Sequence, residues 1–150
     1  MIESVITTPI VLPTTSTQIA FTTDSIKTRS ASCCGWLSHN EGTPNYKIIQ
    51  GGLYEIDFTG NFSSATAGII AVGLYRDGIL DPSTVVSQTI ATAGDNTELS
   101  ISKIIKVCCN ANETITIGAV PSVISTPTLV PTDTVEPTVL NANFSIVKKA

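Results

Sequence analysis

Leu53-Tyr-Glu-Ile-Asp-Phe-Thr-Gly-Asn-Phe62 reads with a period of two. Its even positions are Tyr54, Ile56, Phe58, Gly60 and Phe62, while Glu55, Asp57, Thr59 and Asn61 fill the odd ones. Successive side chains of a strand point to opposite faces, so this stretch is a strand with one buried face. The stretches downstream carry related patterns. Gly68-Ile-Ile-Ala-Val-Gly-Leu-Tyr75 is apolar on both faces, as in a strand covered from both sides, and Arg76-Asp77-Gly78 closes it with a tight-turn signal. Leu99, Ile101, Ile105, Val107 and Cys109 alternate with Ser100, Ser102, Lys106 and Cys108. Lys103 and Ile104 interrupt that phase and mark a bulge or an interface. Thr114-Ile-Thr-Ile117 is a further strand, and Leu140, Ala142, Phe144 and Ile146 line one face of a closing one.

The expectation is an all-β fold, a jelly-roll β-sandwich of about 8–10 antiparallel strands, with strands near 53–62, 68–76, 99–108, 114–119 and 140–148. Its inward set is Tyr54, Ile56, Phe58, Phe62, Val72, Leu74, Ile101, Ile115, Ile117, Phe144 and Ile146. Composition agrees. Ile, Val and Thr together number 53 of 150 residues, and β-branched side chains suit a pleated surface. A chain of 15.7 kDa suits one domain. Residues 1–17, rich in Thr, Ser and Pro, read as an N-terminal arm or edge segment outside the core. Residues 18–150 form the single jelly-roll domain, with a long Pro-rich loop at 121–137.

Several functions are argued against. With a net charge of −4 and a pI near 4.7, nucleic acid is not an expected partner. No apolar run approaches the roughly 20 residues that span a bilayer, so no membrane partner is expected. The first residues lack a basic and then apolar leader, which points to synthesis in a cytoplasm. No P-loop, dinucleotide fingerprint or G-x-S-x-G motif is present, and His39 stands alone and reads as a surface loop residue. The expectation is no enzyme, with no catalytic, cofactor-binding or metal residues and no cofactor. Cys33-Cys34 and Cys108-Cys109 are adjacent pairs, and adjacent strand residues face opposite ways, so neither pair makes a good metal half-site. By phase, Cys109 is expected to be buried and reduced, with Cys108 pointing the other way.

One ordered set of residues goes further. Gly52-Leu-Tyr54-Glu-Ile56-Asp-Phe58, preceded by Tyr46, resembles the core strand of complement-type and tumour-necrosis-factor-like jelly-roll heads. Ile69-Ile-Ala-Val-Gly-Leu-Tyr-Arg-Asp-Gly78 looks like that family's strand ending in a basic-polar-glycine turn. Lys106 to Ile117 resembles its strand-turn-strand, and Asn143-Phe-Ser-Ile-Val147 its closing strand. Ile56 stands where many members carry Phe, and Asn112-Glu113 replaces the usual Gly-Asp. The family includes heads of bacteriophage virions and of collagen-like spore-surface glycoproteins. The resemblance implies a homotrimer.

Tyr54, Ile69, Ala71 and Ile104 are the candidate trimer interface, the last three because their strands carry more apolar side chains than one core face can use. The function expected is a non-enzymatic bacteriophage virion structural protein. It would decorate the capsid or cap a fibre, reside in the virion, and have other virion proteins as partners. The alternatives are a receptor- or carbohydrate-binding head at a tail or fibre tip, contacting a cell-surface glycan through Trp36 and Tyr75, and a bacterial spore-surface head domain.

Overall fold

In the computed structural model, residues 1–12, 18–27, 35–108, 112–121 and 134–150 are described. They carry β1 (Ile2–Ile6), β2 (Ile10–Val11), β3 (Thr23–Lys27), β4 (Leu37–His39), β5 (Tyr46–Ile48) and β6 (Gly52–Ser63). There follow β7 (Gly68–Arg76), β8 (Ile79–Leu80), a 3-10 turn at Pro82–Thr84, β9 (Val86–Ile90), β10 (Thr97–Val107), β11 (Glu113–Ala119) and β12 (Thr138–Lys148). Two six-stranded sheets face each other. The first runs β10-β6-β12-β1-β3 with β2 also pairing β12; the second runs β4-β5-β11-β7-β8 with β9 also pairing β7. The strand pairings are antiparallel, as a jelly roll requires.

β6 shows why the sandwich forms. Tyr54, Ile56, Phe58 and Phe62 are buried, and the whole expected inward set joins one core. Phe144 is central to it, with its ring 5.4 Å from Phe21 and 4.7 Å from Tyr46, centroid to centroid. Each fully buried aromatic or aliphatic side chain contributes about 1.5–3 kcal/mol. A Cβ at Gly60 would stand 2.8 Å from the Phe62 ring and 2.9 Å from that of Phe58, so the bare backbone there lets both rings close over it. The turn after β7 is the one its sequence promised. Asp77 and Gly78 have φ of 50° and 79°, the positive pair of a tight I′-type hairpin.

Four expectations need correction. The described residues 1–12 are not an arm outside the core. β1 is an interior strand between β12 and β3, and Ile2, Ile6 and Leu12 are buried. Their alternation, interrupted by prolines and threonines, is too short to read without the partner strands. No bulge occurs at Lys103 and Ile104, because the β10–β6 register runs unbroken from Thr97↔Phe62 to Val107↔Gly52. Lys103 keeps the inward phase and escapes burial of its charge by reaching the 3-10 turn, where its Nζ donates to Ser83 Oγ at 2.5 Å. The register shifts instead in β12 between Val139 and Asn141, so Val139 takes the buried position and Leu140 is only half-buried. Finally, the described chain carries twelve strands rather than 8–10, the surplus being short pieces such as β2 and β8.

β7 is covered on both sides, as its sequence suggested, and the second cover comes from this same chain. Ile70, Val72 and Leu74 join the core. Against the other face, a Cβ on Gly73 would meet Leu80 at 2.6 Å, Val120 at 3.3 Å and Val85 at 3.4 Å. Most of the Pro-rich 121–137 loop lies outside the described residues, as do Cys33, Cys34 and Cys109. Cys108 is exposed at the end of β10.

Candidate functional site

β11 alternates Ile115 and Ile117, which point into the core, with Thr114 and Thr116, which point out through the second sheet. Register places polar groups around the two threonines. Thr114 pairs with Lys47 of β5 on one side, and Thr116 pairs with Tyr75 of β7 on the other. Beyond Thr114 the β7–β8 turn folds over. The Thr114 amide donates to Asp77 Oδ1 and the Asp77 amide to Thr114 O, both at 2.8 Å. Gln18 bridges Gly118 at the far end. The result is a concavity of about 530 Å³ lined by Gln18, Asn45, Lys47, Asp77, Thr114 and Thr116. Its side chains are almost wholly polar, with one cation and one anion. Thr116 is 2% exposed, and its hydroxyl finds no hydrogen-bond partner among the described residues.

A second polar cluster is closed to solvent. His39 is 3% exposed on β4, not on a surface loop as its isolation suggested. Its Nδ1 lies 2.6 Å from Asp24 Oδ1, its Nε2 lies 2.9 Å from the Thr43 carbonyl, and its ring stacks on Tyr46 at 3.9 Å. Both nitrogens thus face oxygen, and because a carbonyl only accepts, Nε2 donates to Thr43. Ser4 Oγ also donates to Asp24 Oδ1, at 2.5 Å. The three residue types of a nucleophile triad are present, but the serine sits on the carboxylate and not on the imidazole. The imidazole therefore has no path to take the serine proton. The cluster ties β1 and β3 of the first sheet to β4 and β5 of the second. Burial pushes the Tyr46 hydroxyl pKa up, with Ser4 opposing and the Asp24 charge adding to the rise.

A similar tie closes the other end. Arg76 pairs with Glu113 and donates to the Lys106 carbonyl of the first sheet at 3.1 Å. The hydrogen bond to Glu113 is the main cause that holds the Arg76 pKa above its ordinary value. Near the 3-10 turn, the Ser83 hydroxyl holds the Asp81 carboxyl below the usual carboxylate range, with Lys103 adding to that effect.

The outer face of the first sheet is different again. Asp57, Thr59, Asn61, Ser100, Ser102, Asn141 and Asn143 make a polar field, laced by Asn61–Asn141 at 2.8 Å and Ser102–Asp57 at 2.7 Å. One corner is apolar. Leu53 is 41% and Ile104 61% exposed there, beside a second concavity lined by Leu53, Lys106, Val107, Cys108 and Ala150.

The structure thus separates the expected interface residues. Tyr54 and Ala71 are buried within the single chain and have no surface to offer a partner. The Tyr54 hydroxyl donates to the Gln50 carbonyl at 2.7 Å, and Ala71 lies on the doubly covered β7. Ile69 is half-buried, its carbonyl taken by the Val135 amide. Ile104 alone stands open. Trp36 is half-buried and packs on Tyr54 at 5.5 Å, whereas Tyr75, half-buried beside Thr116, donates its hydroxyl to the Ala119 carbonyl at 3.0 Å. Thr114 and Thr116 were missed because alternating threonines are ordinary in a strand. Only their alignment with Asn45, Lys47 and Asp77 makes them a site.

No protein-family model matches the sequence, and no curated protein does. The fold has clear likenesses. It is similar to the globular domain of a zebrafish complement 1qA protein, with a TM-score of 0.59 and 10% identity over 99% of this chain and 96% of that one. It is also similar to the Eiger TNF of S. frugiperda, with a TM-score of 0.54 and 10% identity over 99% and 91% of the two chains. The fold is a complement-type, TNF-like jelly roll. At that identity the TNF-like likeness extends to strand order and packing, while the side chains around Thr116 and Ile104 are this chain's own.

Proposed function

We propose that this protein is a non-enzymatic structural protein of a bacteriophage virion, a homotrimeric TNF-like head that decorates the capsid or caps a fibre. The observation that carries the reading is the outer face of the first sheet. It is broad and furnished with short hydroxyl and amide side chains, with Glu55, Asp57, Glu98 and Lys106 set among them and an exposed apolar corner at Leu53 and Ile104. Such a face can be buried against a partner whose groups meet its polar side chains with hydrogen bonds. Closed three-fold association would cover the corner without leaving an open, polymerising contact. The buried wiring of Ser4, Asp24 and His39 supports the non-enzymatic part, since it aims no nucleophile at solvent.

Sedimentation velocity tests the assembly. A stable species near three times 15.7 kDa that survives dilution to low micromolar is expected, and a monomer would overturn the trimer. A mass-spectrometric inventory of purified particles tests the location. Finding the chain at a stoichiometric level, together with lost density when its gene is deleted, is the expected result. A chain absent from the particles would sink the virion assignment.

A further inference from the structure

We infer that the polar concavity on the outer face of the second sheet binds a saccharide, holding one sugar residue over Thr114 and Thr116. This inference goes beyond the virion reading and rests on neither the trimer nor the particle, because the groove lies on the sheet opposite the face assigned to assembly. Its volume of about 530 Å³ lies within the roughly 300–1,000 Å³ of small-molecule sites. The residues that line it all carry polar groups except Gly78. Asn45, Gln18 and the two threonines offer both donors and acceptors, Lys47 offers donors alone, and Asp77 offers acceptors. That mixture suits a ligand carrying many hydroxyls, each a donor and an acceptor, better than it suits an anion or an apolar group.

The Thr116 hydroxyl supplies the independent observation. A buried hydroxyl without a hydrogen bond is costly, and this one projects from the outward face of β11 at the floor of the groove. Asp77 is fixed for the same task. Its Oδ1 is held by the Thr114 amide, which leaves the other carboxylate oxygen for a sugar hydroxyl, and a charged acceptor makes the stronger bond.

Titration of the isotopically labelled protein with free galactose and N-acetylglucosamine, followed by a glycan array, tests this. Saturable shifts of the amides of Asn45, Lys47, Asp77, Gly78, Thr114 and Thr116 are expected with at least one sugar. Thr116→Val should weaken that binding about tenfold while leaving the thermal midpoint unchanged or higher, because it removes a hydroxyl that has no protein partner. A merely structural hydroxyl would give the opposite, a lower midpoint, and that result would overturn the inference. Asp77→Asn keeps the turn, since Asn tolerates positive φ, and should also weaken binding. Ile104→Ser, on the opposite sheet, should bind sugar as the parent does even if it no longer assembles. No saturable shift with either sugar and no array signal would remove the proposal while leaving the virion reading intact.

Discussion

The outer faces of the two sheets solve the same problem in opposite ways. β7 carries apolar residues on both faces, and its second face is covered from within by Leu80, Val85 and Val120. β6 and β10 leave their outer face open, but there the side chains are polar, with Glu55, Asp57, Glu98 and Lys106 among Ser, Thr and Asn, except for Leu53 and Ile104. An apolar surplus in a strand therefore does not by itself mark an interface. Ile69 and Ala71 looked like surface awaiting a partner, and the chain had already supplied one. Ile104 stays exposed, because no segment of the described chain folds back over it.

The largest effects should come from the shared core beneath both faces. Phe58→Ala should cost about 3–5 kcal/mol in denaturant unfolding, whichever outer face is considered. A loss below about 1 kcal/mol would mean the aromatic cluster is not the centre of the fold. His39→Ala should fall in the same range, since it strands the Asp24 carboxylate in a dry site. An exposed histidine would show almost no loss.

The cover of β7 should register next. Leu80 is half-buried, so Leu80→Ala should cost about 1–2 kcal/mol, with hydrogen exchange rising in β7 and β8 but not in β10. Exchange that rises equally in β10 would show that the two faces are not separate.

A smaller effect should appear with alkali. The Tyr46 hydroxyl would ionise near pH 10 in the unfolded chain, while the fold keeps it protonated. The folded state then holds the extra proton, so stability falls as pH rises past that value. Tyr46→Phe keeps the ring and should flatten that decline; an unchanged decline would assign it to other groups. The smallest effect on the protomer should be that of Ile104→Ser. At 61% exposed, Ile104 should change unfolding by no more than about 0.5 kcal/mol yet shift the sedimentation profile toward smaller species. A variant that sediments as the parent does would move the interface away from this corner.

The period of two in Leu53–Phe62 was enough to place Tyr54, Ile56, Phe58 and Phe62 in a core, because strand geometry alone sends alternate side chains to one side. The same local rule placed Ile115, Ile117, Phe144 and Ile146, and the Asp77-Gly78 turn followed from the conformations those two residues tolerate. Nothing local could say what lay beyond a strand's own two faces. The interior position of β1 depends on pairing with β12, more than 130 residues away in sequence, and His39 is buried because Asp24 and Tyr46 arrive from other strands. Thr116 became the floor of a groove through its register with β5 and β7. Alternation is a property of one strand, and a sequence carries it directly. Cover, register and the meeting of polar groups are properties of pairs of distant segments, and only the closed sandwich decides them.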